Sequence, residues 1–288
     1  MKVFVTGLSG GLGREFLPYG VAGCSGSRRV GDFPVADLTR PGAAESILAE
    51  VRPDVVIHTV GWVDVDACEA DPERAAAVNF QTLLHVRRCA DRLGFRIVFI
   101  STNDVFRGSR GRYREEDRPD PVNVYAMTKA AAETLLRPED LIVRAALLAW
   151  NCNGKVSFVR WLVEALERGE SPSLFRDQYT SPVTVTTLAR LILERFLGER
   201  GILHVGTERR SRFEVGRGIA AALGLPAARI RPGALAAHRF LAPRPRDVSL
   251  DSDRAARRLG GPLRLEAELE VLRRTRPVPR AVRAGASR

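Results

Sequence analysis

Several residue types that organise other classes of protein are scarce in this sequence of 288 residues. The only cysteines are Cys24, Cys68, Cys89 and Cys152, without a C-x-x-C pair, and the four histidines are equally scattered. Neither a disulfide framework nor a metal site with nitrogen and sulfur ligands is therefore predicted. No apolar run approaches the roughly 20 residues of a membrane-spanning helix. We expect a cytoplasmic protein with no metal and no membrane segment.

Lysine is also rare, because only Lys2, Lys129 and Lys155 accompany 42 arginines, and the net charge is +11. Six of the arginines lie within residues 271–288, which contain no acidic residue. A basic tail can bind nucleic acid, and this is one alternative function. A bias of composition explains the arginines more simply, so nucleic acid is not an expected partner. Because the first residues run straight into a predicted strand, we expect no signal peptide.

The first half of the chain alternates short, β-branched apolar runs with longer segments of helical periodicity. Strands are predicted at residues 2–6, 21–24, 55–59, 97–101 and 141–144. Helices are predicted at residues 11–17, 43–51, 72–93 and 124–136. Such alternation is typical of an α/β fold with a Rossmann-type, doubly wound parallel sheet.

The pattern loosens in the second half, where the family resemblance described below implies a smaller C-terminal lobe that binds the substrate. We expect a Rossmann domain over residues 1–148, to which residues 182–207 return. Residues 149–181 and 208–275 would form the lobe. Residues 276–288 are rich in Arg, Pro, Ala and Gly without periodicity, so a disordered tail is predicted there.

A glycine-rich turn follows the first predicted strand directly. Gly7, Gly10 and Gly13 have the spacing G-x-x-G-x-x-G. Glycines let the backbone turn tightly and approach a pyrophosphate, and the N-terminus of the next helix favours that anion. The turn therefore predicts a dinucleotide site, with candidate contacts at Gly7, Ser9, Gly10, Gly11, Leu12 and Gly13.

A second motif is the Tyr-x-x-x-Lys formed by Tyr125 and Lys129 on a predicted helix. Residues four apart share one face of a helix, so the phenol and the ammonium would enter one site. The ammonium would then lower the pKa of the tyrosine and equip it for proton transfer. An ordinary exposed pair is the alternative. The use of lysine in a chain that otherwise uses arginine favours the functional interpretation.

The turn from Ser101 to Phe106 comes at the end of a predicted buried strand. Ligands of an open parallel sheet bind beyond the carboxyl ends of its strands, so this turn would face the site. Alternatively, its Ser, Thr, Asn and Asp residues merely cap a loop.

Taken in order, these motifs resemble the extended short-chain dehydrogenase/reductases. The resemblance is carried by TGLSGGLG, PDVVIHTVGWVDVDACEADPERAAAVN, ISTNDVF, YREEDRPDPVNVYAMTK and RPRDVSLDS. It covers roughly residues 1–275. The most similar branch is dTDP-4-dehydrorhamnose reductase, and the regulatory subunit of methionine adenosyltransferase is a sister branch.

The resemblance implies a role for individual residues of this chain. The three glycines would lie at the pyrophosphate. Asp37 and Leu38 would lie against the adenine, and the loop of Thr59, Val60 and Gly61 would run along the cofactor. Thr102 would be the catalytic hydroxyl, Tyr125 the proton donor and Lys129 the cation that binds the ribose.

The substrate side departs from the resemblance. The reductases usually have S-T-D-Y-V-F, whereas Asn103 and Asp104 stand here in place of Asp and Tyr. The candidate substrate contacts are Asn103, Asp104, Trp150, Asn151 and Arg244, with Asn153, Phe158 and Arg246 nearby. Trp150 could instead be a core residue, and Arg244 and Arg246 could instead form salt bridges. Pro18 also shortens the first predicted helix.

The residues after the second predicted strand bear on the cofactor. Ser25-Gly26-Ser27-Arg28-Arg29 contains two cations and no carboxylate before Asp32. NAD-specific sites usually place an acid here, whereas arginine binds a 2′-phosphate through charge-assisted hydrogen bonds. The alternative is that Arg28 and Arg29 belong to a solvated turn. We predict NADP(H), with NAD(H) as the weaker cofactor.

The motifs predict a dinucleotide-dependent enzyme, and the resemblance implies an NADPH-dependent reductase of a nucleotide-linked 4-keto-6-deoxy sugar, with a small sugar nucleotide as its partner. One alternative is a non-catalytic, NADP-binding regulatory subunit, as in the sister branch. Another is a sugar-nucleotide epimerase or dehydratase of the same superfamily. Whether the protein forms a homodimer is left open by the sequence.

Overall fold

The computed structural model describes residues 1–26, 28–151 and 156–277 of the chain. The strands are β1 (Val3–Thr6), β2 (Ala22–Cys24), β3 (Val55–His58), β4 (Arg96–Ile100), β5 (Leu141–Arg144), β6 (Ala146–Leu148), β7 (Ser173–Phe175), β8 (Tyr179–Thr180), β9 (Pro182–Thr184), β10 (Gly201–His204), β11 (Arg210–Ser211) and β12 (Arg231–Gly233). The α-helices are α1 (Ala43–Val51), α2 (Val65–Ala70), α3 (Pro72–Ala76), α4 (Thr82–Leu93), α5 (Val124–Glu133), α6 (Phe158–Glu167), α7 (Val185–Leu191), α8 (Arg212–Ala222), α9 (Asp253–Leu259) and α10 (Leu265–Arg274).

A six-stranded sheet forms the centre of the molecule, in the order β2-β1-β3-β4-β5-β10. Every neighbouring pair in this sheet is parallel. The strands are apolar and short because helices cover both faces, as separate buried clusters on the two sides show. The predicted Rossmann-type parallel sheet is therefore confirmed. The strand order reverses between β1 and β3, which is where a ligand crevice opens in such sheets.

Two predicted helices differ in detail from the structure. The segment predicted at 11–17 is a 3₁₀ helix over Gly13–Tyr19 with Pro18 inside it, and it ends at Gly20 in the left-handed region. Proline has no N–H to donate, so a regular α-helix does not form there. The helix predicted at 72–93 begins with Pro72 behind the Asp71 cap, and a π-helical segment over Ala77–Gln81 joins α3 to α4.

The second half of the chain has a core of its own, in which α6, α8 and α10 pack together around Leu162, Ile219 and Leu269. The two-stranded pairs β6–β9, β7–β12 and β8–β11 lie outside the central sheet. β10 pairs with β5 inside it. The division of the chain into a Rossmann domain and a lobe stays a prediction.

The first residue of the predicted disordered tail, Arg276, forms an ion pair with Glu167 of α6. The disordered tail itself stays a prediction. The tail's remaining residues, 278–288, lie outside the described part of the chain, as do Ser27 and Asn153. Within the described residues, Cys24 and Cys89 are buried free thiols. Among the helices described, none has the length and apolar character needed to cross a bilayer.

Candidate active site

The glycine turn after β1 is packed so closely that side chains would not fit. Gly7 has φ +78°, and a Cβ there would lie 2.9 Å from Thr59 Oγ1. A Cβ on Gly13 would overlap the carbonyl of Gly7, while Gly10 N–H donates to that same carbonyl at 2.9 Å. Bare backbone is therefore presented at the carboxyl end of β1. This is the cradle that a pyrophosphate requires.

Thr59, at the end of β3, is tied to the neighbouring strand. Its hydroxyl donates to the carbonyl of Thr6 at 2.6 Å. His58 beside it lies between the hydroxyls of Thr6 and Thr82, at 3.0 and 3.2 Å. Burial lowers the pKa of His58 to about 3, and the positive charge of Lys129 contributes. His58 is therefore neutral and holds this loop in place, a role that its position inside a strand did not reveal.

Asn79 holds the rest of the same loop. Its side chain accepts from Trp62 N–H at 2.7 Å and donates to the Trp62 carbonyl at 3.2 Å and to Thr128 Oγ1 at 3.0 Å. It is fully buried in the π-helical segment. Val60 and Gly61 are thus held close to α5, where the Tyr-x-x-x-Lys motif lies.

The residues predicted to contact the adenine and the 2′-phosphate of the cofactor lie at the edge of the sheet that β2 forms. Leu38 is buried and its carbonyl contacts a ring nitrogen of His85, whereas Asp37 is exposed and accepts from Thr39. Arg28 and Arg29 are both exposed. A wide cleft of about 1380 Å³ opens beside this edge, lined by Asp37 and by α1.

Tyr125 and Lys129 lie on one buried face of α5, as their spacing predicts. The helix begins behind Asn123, whose side chain accepts from Ala126 N–H at 2.9 Å. The ammonium of Lys129 donates to the Ile100 carbonyl at 2.6 Å and lies 4.0 Å from the centre of the Phe99 ring. Burial lowers its pKa to about 7, although the charge of Glu133 opposes the shift.

The prediction that Lys129 lowers the pKa of Tyr125 is wrong for this structure. Burial raises the pKa of Tyr125 above its usual value, the charge of Asp104 raises it further, and the hydroxyl of Thr102 lowers it. The reason is geometric, because the ammonium is directed at the Ile100 carbonyl. The phenol therefore keeps its proton at neutral pH, which suits a proton donor.

Thr102 lies two residues after the end of β4 and caps a 3₁₀ turn over Asn103–Val105. Its hydroxyl accepts from Asp104 N–H at 3.1 Å. The Thr102 side chain is buried next to Tyr125, and a hydrogen bond between the two hydroxyls lowers the pKa of Tyr125. The three candidate catalytic residues therefore come together where β4 ends and α5 begins.

The two residues that depart from the reductase motif have different surroundings. The amide of Asn103 donates to Thr180 Oγ1 at 3.1 Å and to the Val248 carbonyl at 3.2 Å, so it ties the turn to the second half of the chain. Asp104 is half-buried. Burial raises the pKa of its carboxyl, while the charges of Arg244 and Arg212 lower it.

The remaining substrate candidates are mostly engaged with protein atoms. Trp150 donates from its indole to the Leu272 carbonyl at 3.0 Å. Arg244 pairs with Asp66 at 2.9 Å. The contact of Trp150 is therefore the one expected of a core residue, and the contact of Arg244 is the salt bridge given as its alternative. Asn151 is exposed, and its carbonyl is what a side chain on Gly11 would meet.

The charge of Arg212 acts on Asp104, and nothing in the sequence indicated this. Arg212 is the first residue of α8, after a capping box in which Ser211 and Glu214 bind each other's backbone N–H. The guanidinium carbon lies 3.7 Å from the centre of the Phe158 ring. Burial lowers the pKa of Arg212 to about 10, and the charge of Asp104 opposes the shift.

Residues 1–271 match the family described as the RmlD substrate binding domain. The probable low-salt glycan biosynthesis reductase Agl14 of Haloferax volcanii is 30% identical over 90% of this chain and 93% of its own length. Methionine adenosyltransferase 2 subunit beta of Bos taurus is 27% identical, over 88% of this chain and 81% of its own length.

Solved structures share the fold. A hypothetical dTDP-4-dehydrorhamnose reductase from Sulfolobus tokodaii superposes with a TM-score of 0.83 at 33% identity, over 92% of this chain and 98% of that one. The dTDP-4-dehydrorhamnose reductase of Bacillus anthracis, in complex with NADP, has a TM-score of 0.80 at 25% identity, with 94% and 98% covered. The matches extend over both halves of the chain.

Proposed function

Because this chain belongs to the RmlD substrate binding domain family, we propose that it is an NADPH-dependent reductase of a nucleotide-linked 4-keto-6-deoxy sugar. Family membership confirms the resemblance that the motifs predicted. The observation that carries the proposal is the buried group of Thr102, Tyr125 and Lys129 at the carboxyl edge of the sheet. A protonated phenol, a hydroxyl and an ammonium at that edge are the groups that carbonyl reduction needs.

The residues present fit a dinucleotide cofactor. The glycine turn leaves its backbone open at the carboxyl end of β1, and a side chain on Gly13 would close it. Arg28 and Arg29 are exposed after β2 and would bind a 2′-phosphate. Lys129 would bind the ribose hydroxyls. Bound NADPH would supply a hydride to the carbonyl carbon of the sugar.

The protein's own groups would manage the oxygen of that carbonyl. Tyr125 would donate its proton as the oxygen becomes an alkoxide, and Thr102 would hold the oxygen by a hydrogen bond. Proton transfer from a positioned side chain contributes roughly 10²–10⁴-fold to such rates.

The proposal is tested by following NADPH absorbance with dTDP-4-dehydro-6-deoxy sugars, with a UDP-hexose as the control. We expect oxidation of NADPH matched by reduced sugar, and slower oxidation of NADH. Conversion of sugar without net use of NADPH would instead indicate an epimerase or dehydratase. Binding of NADPH with no turnover of any keto sugar would contradict the reductase.

The regulatory-subunit alternative is favoured by one finding, the match to methionine adenosyltransferase 2 subunit beta over most of this chain. It predicts that the protein binds a methionine adenosyltransferase catalytic subunit and changes its activity. Co-purification of the two tests this. A cytoplasmic location and a homodimer stay predictions.

A further inference from the structure

The buried face of α5 carries a third polar group beyond the Tyr-x-x-x-Lys pair. Glu133 follows Lys129 by four residues, as Lys129 follows Tyr125, so all three side chains lie on one face of the helix. All three are buried. A buried carboxylate is costly unless it is paired and hydrogen-bonded, so the contacts of Glu133 indicate what it does there.

Arg144 of β5 supplies the partner of this carboxylate. Its guanidinium donates to both oxygens of Glu133, at distances of 2.6–3.2 Å. The guanidinium itself lies 3.4 Å from Nε2 of His204 and 5.1 Å from the centre of the Phe106 ring. A paired, bidentate contact of this kind fixes the direction of a carboxylate as well as its charge. Glu133 is therefore held in one orientation at the end of α5.

Glu133 also binds the residue that joins β4 to the catalytic turn. One of its oxygens accepts from the Ser101 hydroxyl at 2.5 Å. Ser101 lies between Ile100, whose carbonyl accepts from Lys129 at 2.6 Å, and Thr102. Two side chains one turn apart on α5 thus bind consecutive residues at the end of β4. The position of the turn that carries Thr102 follows from these two bonds.

The charges around Lys129 give Glu133 a second effect on the site. His58 of β3 is neutral and Tyr125 of α5 keeps its proton, while β4 contributes an aromatic ring and a carbonyl. Arg144 of β5 is balanced by Glu133. Within the described residues, Glu133 is the anion whose charge acts on Lys129, and it raises the pKa that burial lowers.

We propose that Glu133 is a positioning residue of the candidate active site, which fixes the Thr102 turn through Ser101 and keeps the amine of Lys129 charged at the end of β4. The inference rests on the proposed reductase function and deepens it, because Glu133 would act on that reaction through Lys129 and Thr102. Arg144 serves the same end by orienting the carboxylate.

The effect on Lys129 is tested by its titration in the E133Q variant. The amide removes the negative charge and leaves that of Arg144 unbalanced, so the pKa of Lys129 should fall below its value of about 7. The chain has three lysines, so NMR of protein labelled with carbon-13 lysine resolves each of them, and K129M identifies the signal of Lys129. E133D keeps the charge and should restore most of the pKa.

D140N is the matched control for the loss of a buried ion pair. Asp140 is a buried carboxylate that pairs with Arg87 at 2.7 Å, and it accepts from the N–H of Ile97 at the opposite end of β4. Its replacement should lower the melting temperature as E133Q does and leave the titration of Lys129 unchanged.

The effect on the turn is tested by S101A, which keeps the pair of Glu133 and Arg144. Loss of the hydroxyl frees the turn, so kcat with a dTDP-4-dehydro-6-deoxy sugar should fall roughly tenfold to a hundredfold. The NADPH dissociation constant should change little. E133Q should lose at least as much turnover, and its activity should decline at a lower pH than that of S101A, because Lys129 loses its proton earlier.

An equal pKa of Lys129 in E133Q and D140N, or a kcat of S101A equal to that of the unmodified protein, would overturn the inference and leave the reductase function standing. If E133Q does not fold, S101A decides the matter, because its ion pair is intact. If the unmodified protein reduces no keto sugar, the proposed function fails, while the NMR comparison still decides whether Glu133 sets the charge of Lys129.

Discussion

Lys129 and Ile100 are joined by a hydrogen bond of 2.6 Å, in which the ammonium donates to the last carbonyl of β4. The lysine is buried, and its pKa falls to about 7 for that reason. The Lys129 amine at the end of β4 therefore loses its proton easily near neutral pH. A ribose hydroxyl bound there would supply further polar contact to the ammonium.

Replacement of Lys129 by Met should stabilise the protein in a pH-dependent way. The unfolded chain binds the proton up to a pKa of 10.5, whereas the folded chain releases it near 7. Stability therefore rises with pH between these values, and the cost of burying the charge is complete below about pH 7. Urea unfolding should show K129M more stable than the unmodified protein at about pH 6, with a gap that narrows towards about pH 10. A gap that widens with pH would contradict the burial argument.

Replacement of Tyr125 by Phe should abolish most turnover and spare the cofactor site. The ring would still fill its place among Cys68, Ala75 and Trp62, so the fold should hold. Loss of the proton donor should lower kcat by about 10²–10⁴-fold, while the NADPH dissociation constant changes little. Stopped-flow turnover and fluorescence titration measure the two effects. Activity within a few-fold of the unmodified protein would remove Tyr125 from the mechanism.

Replacement of Arg28 and Arg29 by Ala should weaken NADPH selectively. Each charge-assisted hydrogen bond to the 2′-phosphate should be worth roughly tenfold in affinity, and NADH lacks that phosphate. The Michaelis constants for the two cofactors check this. R88A serves as the control, because Arg88 is exposed on α4. Equal use of both cofactors by the unmodified protein would end the assignment.

Replacement of Arg144 by Met should destabilise the protein strongly. Arg144 is 1% exposed, and it donates to both oxygens of Glu133 at 2.6–3.2 Å. Breaking a buried pair leaves one charge unpaired and costs about 3–5 kcal/mol. The exposed pair of Arg160 and Glu164 is the matched control, worth about 1 kcal/mol or less. Urea unfolding in which R144M and R160A lose equal stability would contradict this.

Removal of residues 278–288 should leave the melting temperature and turnover unchanged, because this segment is rich in Arg and Ala and has no apolar periodicity. A deletion that begins at Arg276 also loses the contact with Glu167. That exposed pair should add about 1 kcal/mol at most. Differential scanning calorimetry of the two truncated chains separates the contributions. A large drop for the shorter deletion would show that the tail packs on the body.

Local patterns predicted the sheet and the parts of the site that lie along one element. The glycine spacing and the Tyr-x-x-x-Lys pair each sit within a few residues, so periodicity and steric rules identify them. Arg212 was not predicted because the Phe158 ring that it contacts and the Asp104 charge that acts on it are distant in the chain. The raised pKa of Tyr125 was not predicted for a related reason, because burial and the direction of the Lys129 ammonium are properties of the tertiary structure.

The hydrogen bonds of the Asn103 side chain also bear on the order in which the site is completed during synthesis of the chain. All three candidate catalytic residues have been made once the ribosome has passed Lys129. The turn that carries Thr102 is nevertheless secured by Thr180 and Val248, which are translated 77 and 145 residues after Asn103. The strand that completes the central sheet, β10, is also translated late in the chain, after β9. We therefore expect that a nascent chain contains its reactive groups well before these bonds can form, and that the turn is secured only after the C-terminal third has been made.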